Sequence, residues 1–266
     1  MSSNEPDFID FYNRLQIHYQ VLNHFNINYG LETIGASIST ELIDSIVHVI
    51  LNKNLDGLSL EFSWDFAAQT SKYENAFPLD RTGTINVQAY KGIDTYGDYI
   101  NQALAYHKAL FKTTSYESQW NEWYPGSNEE MSLVDGKVGS LDFRDGNWQG
   151  FWGKDIEILI DLGKLTEINS ISTNFYQYAN SWILAPKGVL IEYAKTESDW
   201  KTFYEESRTQ VDLTNEKKII TYTSDNTETI EARYVKLTAI NVGKIPARHE
   251  AAGAESWLFI DEIIVK

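Results

Sequence analysis

The stretch DGNWQGFWGKD, residues 145–155, sets two tryptophans and a phenylalanine among glycines and aspartates. Glycine and aspartate at this density are typical of turns, so the segment is predicted to be an exposed loop rather than a core strand. Flat rings held in water can stack on the apolar face of a sugar, while charged or amide side chains hydrogen-bond to its hydroxyl groups. The pattern indicates carbohydrate recognition. An ordinary β-rich core is the alternative, since tyrosine and tryptophan also favour strands.

Two further segments share this character, Tyr176–Trp182 and Ile245–Trp257, and with Arg144–Trp152 they supply the candidate site residues. The side chains suited to stacking on a sugar are Trp152, Trp182 and Trp257. Those suited to hydrogen-bonding with its hydroxyl groups are Arg144, Asp145, Asn180, His249 and Glu255. Trp257 begins a predicted strand and fits a core role equally well. His249 lies in a polar run and fits either ligand contact or simple exposure.

Composition excludes several other classes of function. The 266 residues carry a formal net charge of -16, which argues against nucleic acids and anionic membrane surfaces as partners. There is no cysteine, so disulfides and zinc-thiolate sites are excluded, and the five histidines lack zinc-ligand spacing. The first residues show no apolar signal segment, and no run of about 18 apolar residues is long enough to span a bilayer.

The elements that must position these residues fall into two regions. Residues 6–27 are predicted to form an amphipathic helix, because apolar side chains recur there at spacings of three and four. Residues 40–112 are predicted to be a small β-rich unit. The helix is expected to pack against it, and self-association or partial exposure of its apolar stripe are the alternatives. TGTINVQAYKG within it alternates like a half-buried strand, with Ile85, Val87 and Ala89 on one side. HKALFKTT is predicted to add a short closing strand.

Beyond residue 113 the chain is predicted to form an antiparallel β-sandwich. Short strand-like segments recur at regular spacing, separated by turn residues, and no β-α-β alternation is present. The segments are 156–163, 168–178, 188–195, 218–223, 232–240 and 257–265.

Five motifs in order carry a resemblance to a known fold: SLVDGKVGS, DGNWQGFWGKD, IDLGKLTEI, ARYVKL and FIDEIIV. Together they resemble the discoidin-like sandwich over about residues 115–266, the coagulation-factor (F5/8) type C domain used by family 32 carbohydrate-binding modules. The fold class implied is mostly β, a jelly-roll sandwich preceded by a small β-rich domain and an amphipathic helix. In this fold Trp148 matches a core tryptophan.

Other stretches narrow the resemblance. NVGKIPARHEAAGAESWLFIDEI and SWILAPKGVLIEYAK look like the C-terminal sandwich of bacterial family 20 glycoside hydrolases, the β-N-acetylhexosaminidases. Residues 31–114 resemble the small β-domain that follows the barrel of those enzymes, although Phe62-Ser63-Trp64-Asp65 departs from the usual pattern. Residues 1–30 resemble the last barrel helix. The resemblance implies domains at 1–30, 31–114 and 115–266, without the catalytic barrel, in a periplasmic, cell-surface or secreted protein.

The resemblance also implies sites. The three aromatic segments would share one sugar-binding end, taking glycans with N-acetylhexosamine or galactose-type termini. Asp135 and Glu262 match positions that hold a structural calcium ion, with Ser140 and Asp142 as additional ligands. Alternatively, Asp135 only shapes its Asp-Gly turn and Glu262 is solvated. The adjacent Asp261-Glu262 pair is rejected as catalytic, because neighbours in a strand point to opposite faces.

The preferred interpretation is a non-catalytic carbohydrate-binding accessory region of a β-N-acetylhexosaminidase-like protein. The alternative is a purely structural scaffold that buttresses a glycoside hydrolase barrel in a longer chain and binds no ligand. Exposure discriminates between them. Tryptophan rings open to solvent support binding, whereas rings wrapped by neighbouring strands support the scaffold.

Overall fold

The computed structural model describes residues 14, 35–65, 67 and 69–266, with only the backbone described for residues 225–227. The helix predicted over residues 6–27 therefore lies outside the described residues, apart from a helical Arg14. Strands dominate the remainder, and the prediction of a mostly β fold is confirmed. None of the helices in the described part of the chain is long and apolar enough to cross a lipid bilayer.

The described residues form fifteen strands. Those that begin before residue 112 are β1 Ala36–Ile43, β2 Ile46–Lys53, β3 Ser59–Trp64, β4 Ser71–Lys72, β5 Phe77–Pro78, β6 Gly83–Lys91 and β7 Asp94–Leu104. The later strands are β8 Thr113–Tyr116, β9 Lys137–Val138, β10 Gln149–Trp152, β11 Ile156–Gln177, β12 Gly188–Ala194, β13 Lys201–Ser207, β14 Lys218–Ile240 and β15 Trp257–Val265. Two short 3-10 helices span Glu129–Met131 and Ala179–Ser181.

These residues divide into two compact units. The first takes in the described residues up to Ser39 together with Ile50–Ala76 and Ile85–Asn101. The second comprises Thr40–Val49, Phe77–Thr84 and Gln102–Lys266. The domain bounds 1–30, 31–114 and 115–266 stay a prediction.

The first unit contains the antiparallel pair β3–β6, whose register runs from Ser59 opposite Tyr90 to Trp64 opposite Ile85. The alternation predicted for β6 is confirmed, since Ile85, Val87 and Ala89 are buried. Asn86, on the other side of the strand, is also buried, and its amide donates to the Ser63 carbonyl oxygen at 3.5 Å.

The second unit is built on a seven-stranded antiparallel sheet in the order β10-β15-β11-β14-β12-β13, with β8 paired to β11. Two pairs of predicted short strands are fused here, 156–163 with 168–178 in β11 and 218–223 with 232–240 in β14. The register between β11 and β14 shifts after Asp161 and after Ile168. Such irregularities bend a long strand, which lets one continuous element follow the curve of the sandwich.

The prediction that HKALFKTT forms a strand is wrong for residues 107–112. These residues form successive turns, in which the Leu110 amide donates to the His107 carbonyl and the Lys112 amide to the Ala109 carbonyl. Phe111 adopts a positive φ of 50°, which a strand does not contain. The strand β8 begins only at Thr113.

Strand β15 separates two packed layers. On one side lies the aliphatic core of the sandwich, which includes Phe151, Leu258 and Ile260. On the other side lies an aromatic layer of buried Phe143, Trp148, Tyr176, Ile183 and Phe259. Neighbouring side chains of a strand face opposite ways, and both faces of β15 are covered, which is why nearly all of WLFIDEIIV is buried.

The prediction of an exposed loop over residues 145–155 holds only for its flanks. Gln149–Trp152 is the strand β10, paired with β15, and its first three residues are buried. Gly146 and Gly153 occupy turns with φ of 85° and 64°. Gly150 serves another purpose, because a Cβ there would lie 2.7 Å from a Phe259 ring carbon and 2.9 Å from Tyr124 Cβ. It makes room for aromatic rings inside a strand.

Candidate functional site

Three tryptophans from separate segments meet at one end of the sandwich; we call Trp152, Trp182 and Trp257 the indole cluster. Trp152 and Trp257 are directly opposite each other across the β10–β15 pair, with ring centroids 4.7 Å apart. Trp182 joins from the turn after β11, and its centroid lies 6.0 Å from that of Trp152 at an interplanar angle of 33°. The Trp257 amide donates to the Trp182 carbonyl at 2.8 Å, which fixes the third segment to β15.

Trp182 is the most open member of the indole cluster. Its exposure is 37%, whereas Trp152 and Trp257 are half-buried. It follows the 3-10 helix Ala179–Ser181 with a left-handed φ of 63°, a conformation that is rare and costly for a bulky side chain. Hydrogen bonds on both sides impose it, from the Trp182 amide to Ala179 O and from the Tyr178 amide to Ile183 O. Strain of this kind is concentrated at functional sites.

The indole cluster rests on a rigid aromatic base. The Tyr124 ring packs edge-on against Trp257, with ring centroids 5.3 Å apart, and at a tilt against Phe259, with centroids 4.6 Å apart. Phe143 contacts both Tyr124 and Phe259, at 6.2 and 5.8 Å. Because close-packed aromatic rings hold their rotamers, the open faces of the indoles are presented in a fixed arrangement.

Glu255 supplies a carboxylate beside the indole cluster. A Cβ on Gly153, the residue that follows Trp152, would lie 3.0 Å from the Glu255 carboxyl carbon. Glu255 forms an ion pair with the exposed Lys244. The pair is solvent-accessible, so its net contribution to stability is small and either group can exchange its partner for a ligand hydroxyl.

Asn180 and His249 lie near the same turn but differ in availability. Asn180 is exposed, and its amide donates to the Tyr178 hydroxyl at 3.2 Å. The His249 Nδ1 accepts from the Ala251 amide at 3.1 Å, so its Nε2 carries the proton and donates to Ala179 O at 3.1 Å. Both ring nitrogens are occupied. His249 therefore fastens the 245–254 loop to the turn that carries Trp182, a positioning role.

Arg144 and Asp145 lie on the loop that covers the aromatic layer. The Asp145 carboxylate accepts from the amides of Ser140 at 2.6 Å and Asn147 at 2.8 Å. The Arg144 guanidinium lies 5.0 Å from the Phe143 ring centroid. No contact recorded among the described residues joins either side chain to an indole of the cluster. The structure thus brings six of the eight predicted binding residues together. The other two, Arg144 and Asp145, lie on the loop that contains Phe143.

Trp148 is a core residue, as predicted. Its ring is buried against Tyr176 at 5.1 Å, and its Nε1 donates to the Ser140 carbonyl at 3.0 Å. A Cβ on Gly139 would lie 2.3 Å from the Trp148 ring, so only glycine fits that position.

Of the four predicted calcium ligands, Asp135 and Glu262 lie together in the interior. The interpretation of Glu262 as solvated is wrong, since it is completely buried. Its Oε1 accepts from His107 Nε2 at 2.6 Å and from the Gly136 amide at 2.8 Å, while Oε2 has no partner. Asp135 accepts from the Ser127 hydroxyl and, at 2.9 Å, from the Lys137 amide. The last bond shapes the Asp-Gly turn.

These two carboxylates are buried near each other, so a negative charge on both is electrostatically unfavourable. Burial raises the pKa of Asp135 to about 6, and burial together with the charge of Asp135 raises the pKa of Glu262. His107 adds no positive charge, because burial lowers its pKa to about 3. A cation at the orphaned Glu262 Oε2, or protons on the carboxylates, would resolve the repulsion. The unpartnered Glu262 Oε2 beside Asp135 therefore fits a cation.

Ser140 and Asp142 do not belong to the buried pair. Both are exposed on the 140–145 loop, where the Asp142 amide donates to Ser140 Oγ and Asp142 Oδ1 accepts from the Arg144 amide. In the part of the chain that the structure describes, no three His, Asp or Glu side chains are arranged to hold a metal ion. Any ion at Asp135 and Glu262 would depend on backbone carbonyls for its remaining ligands.

Sequence reasoning missed Trp123 and Glu122, which lie before the first predicted strand of the sandwich. Trp123 is the most exposed of the large apolar side chains in the second compact unit. The segment SQWNEWYPG does carry two tryptophans, the second of which, Trp123, precedes a tyrosine. Whether such a ring is exposed, however, depends on which strand the segment pairs with.

Comparisons with known proteins give one family match and several similar solved structures. The family model described as F5/8 type C domain matches residues 112–251. Similar solved structures include CpGH89CBM32-6 produced by Clostridium perfringens, with 13% identity over 60% of this chain and 98% of that chain and a TM-score of 0.38. The CBM32 of AlyQ in complex with 4,5-unsaturated mannuronic acid has 16% identity over 58% and 93%, with a TM-score of 0.35.

Chitosan-binding module 1 from the chitosanase/glucanase of Paenibacillus sp. IK-5 has 16% identity over 61% of this chain and 99% of that chain, with a TM-score of 0.36. A search of curated protein sequences gives no match.

Proposed function

The chain belongs to the F5/8 type C domain family, and from this membership and the geometry of its loops we propose that it binds carbohydrate without acting on it. The ligand would be a glycan with an N-acetylhexosamine or galactose-type terminus. The region would serve as an accessory part of a β-N-acetylhexosaminidase-like protein whose barrel lies upstream in a longer chain. Such a protein would act in the periplasm, at the cell surface or in the medium.

One observation carries the proposal: three sequence-distant segments each contribute a tryptophan to the indole cluster. A packing core needs no left-handed tryptophan at its edge. A sugar face, in contrast, requires a flat apolar surface kept open to water, with polar groups at its margin. Glu255, Lys244 and Asn180 supply those groups beside the rings.

The proposal includes no catalysis by this region. Asp261 and Glu262, the one adjacent acidic pair considered, are both completely buried. Asp261 accepts from the Gly139 amide at 3.1 Å and from Asn174 Nδ2 at 3.0 Å, whereas Glu262 contacts His107 on the other side of the strand. Two carboxylates that face opposite sides of a strand cannot flank one glycosidic bond.

A scaffold role is the second candidate, and specific observations favour it. Trp152 and Trp257 are half-buried, both His249 nitrogens bond within the protein, and Glu255 already has a cationic partner. These contacts could serve only to stiffen the loops. In that case no glycan would bind at the indole cluster.

A glycan array separates the two candidates. We expect the wild-type protein to bind glycans that end in N-acetylhexosamine or galactose, and Trp152→Ala to lose that binding by more than tenfold. Trp200→Ala is the matched control, because Trp200 is also half-buried but packs against Tyr234 and Lys236 at a different place. It should retain binding. A wild-type protein that binds no glycan would leave only the scaffold. A Trp152→Ala variant that binds normally would show that the indole cluster is not the binding site.

A further inference from the structure

Trp123 is an indole that the protein keeps in water. It exposes 74% of its surface, twice the exposure of Trp182. A single exposed apolar side chain is ordinary on a soluble domain, so exposure alone gives Trp123 no role. Its place in the chain beside the indole cluster is what makes it a candidate for ligand contact. Glu122, beside it, is also exposed.

The turn that carries Trp123 is firmly held. The Tyr124 amide donates to Asn121 O at 2.9 Å, which closes the turn, and the Trp123 amide donates to Asn121 Oδ1 at 3.0 Å. This side-chain bond is an Asx-turn, which restricts the backbone at the tip. Glu122 and Trp123 therefore occupy the two central positions of a rigid turn. Because the backbone of the turn is already ordered, ligand binding would not have to order it.

The same turn is joined to the strand that supplies Trp152. The Asn121 amide donates to Gly150 O at 2.8 Å, and the Gly150 amide donates to Tyr124 O at 2.9 Å. Gly150 and Trp152 are two residues apart on β10, a rise of about 7 Å along the strand. Tyr124, the neighbour of Trp123, contacts Trp257 of the indole cluster. The turn that carries Trp123 is thus joined by hydrogen bonds to β10 and through the Tyr124 ring to the indole cluster.

We infer that Trp123, with the Glu122 carboxylate beside it, forms a second sugar contact next to the indole cluster, so that the ligand is an oligosaccharide of two or more units rather than one terminal sugar. This inference rests on the proposed function. The indole would stack on one ring of the glycan, and the carboxylate would accept hydrogen bonds from its hydroxyl groups. Two contacts on one chain increase affinity because the second forms within the complex.

Titration calorimetry with two oligosaccharide series tests the inference. The probes are N-acetylglucosamine oligomers and galactose-terminated oligosaccharides, each of one to four units. We expect wild-type affinity to rise with chain length. Trp123→Ala should bind the longest members about tenfold more weakly, which corresponds to one lost stacking contact, and the monosaccharides unchanged. Glu122→Gln should give a smaller loss in the same direction.

The controls distinguish failure of this inference from failure of the proposed function. Trp123→Ala removes an exposed ring and should melt like the wild type, and Leu165→Ala, another exposed apolar residue, should bind normally. If Trp123→Ala matches the wild type at every length while Trp152→Ala loses binding, the second contact is refuted and the first stands. If the wild type binds neither series, the proposed function fails and the second contact fails with it.

Discussion

Trp182 is the residue at which ligand binding and backbone strain can be separated by mutation. Its side chain is 37% exposed and its φ is 63°, so it combines an open indole with a left-handed backbone. We propose to compare Trp182→Ala with Trp182→Gly. Both remove the ring, but only glycine adopts the left-handed conformation without strain. The two variants should share one functional defect and differ in stability.

The size of each effect follows from the structure. The buried part of the Trp182 ring corresponds to about 100–150 Å² of apolar surface, so its loss costs about 3 kcal/mol as an upper estimate. The alanine variant keeps the left-handed strain of about 1–2 kcal/mol, whereas the glycine variant relieves it. Glycine loses part of this advantage, about 0.4–1 kcal/mol, through the greater freedom of its unfolded chain. We expect Trp182→Gly to be more stable than Trp182→Ala by roughly 0.5–1 kcal/mol.

Denaturant melts and the glycan array measure the two properties independently. Both variants should lose glycan binding to the same extent, because the ring and not the backbone contacts the sugar. The glycine variant should have the higher unfolding midpoint at an unchanged m-value. Alanine as stable as glycine would show that the left-handed conformation is not maintained in solution. Normal binding by both variants would remove Trp182 from the site.

Two further predictions concern the support of the site. Gly150→Ala should destabilise the protein by about 1–3 kcal/mol, because its Cβ would meet Phe259 and Tyr124 at 2.7 and 2.9 Å. Gly188→Ala, whose Cβ would find only ordinary contacts from 3.5 Å outward, is the matched control, and equal melting temperatures would refute the packing argument. If Asp135 and Glu262 hold calcium, a chelator should lower the melting temperature, calcium should restore it, and Glu262→Gln should abolish the response. A melt that the chelator leaves unchanged would remove the ion.

The strand pattern of the sandwich was predictable because it depends on the local sequence of each segment. Short runs of strand-forming residues between turn signals place 188–195 and 257–265 in strands whatever their partners are, and the structure confirms both as β12 and β15. The fusion of four predicted strands into β11 and β14 was not predictable. Turn-like residues such as Gly163 lie at register shifts within a continuous ladder, and only the partner strand shows that the ladder resumes.

The candidate site was predictable in its residue types but not in its arrangement. Tryptophan among glycines predicted exposed rings, yet Trp152 is half-buried. Trp182, which no glycine flanks, is the more open ring and lies 6.0 Å from Trp152. The same pattern wrongly predicted an exposed loop at Gly150. This glycine instead leaves space for the Phe259 ring and for Tyr124 beside a buried strand. The pattern also gave no means of separating Arg144, which stacks on Phe143, from the residues beside the indole cluster.

The sequence by itself determined a mostly β chain, its strand segments and the aromatic residues available for binding, since these depend on local periodicity and side-chain chemistry. The tertiary structure alone decided which rings meet, which face is covered and which residue is open. Trp148 and Trp123 illustrate the difference, since the family resemblance, and not the local sequence, indicated that Trp148 is a core residue. Both are tryptophans in turn-rich sequence, yet one is buried against Tyr176 and the other lies in water. Whether each ring is buried depends on residues distant in the chain, because burial results from the packing of several segments and not from one segment alone.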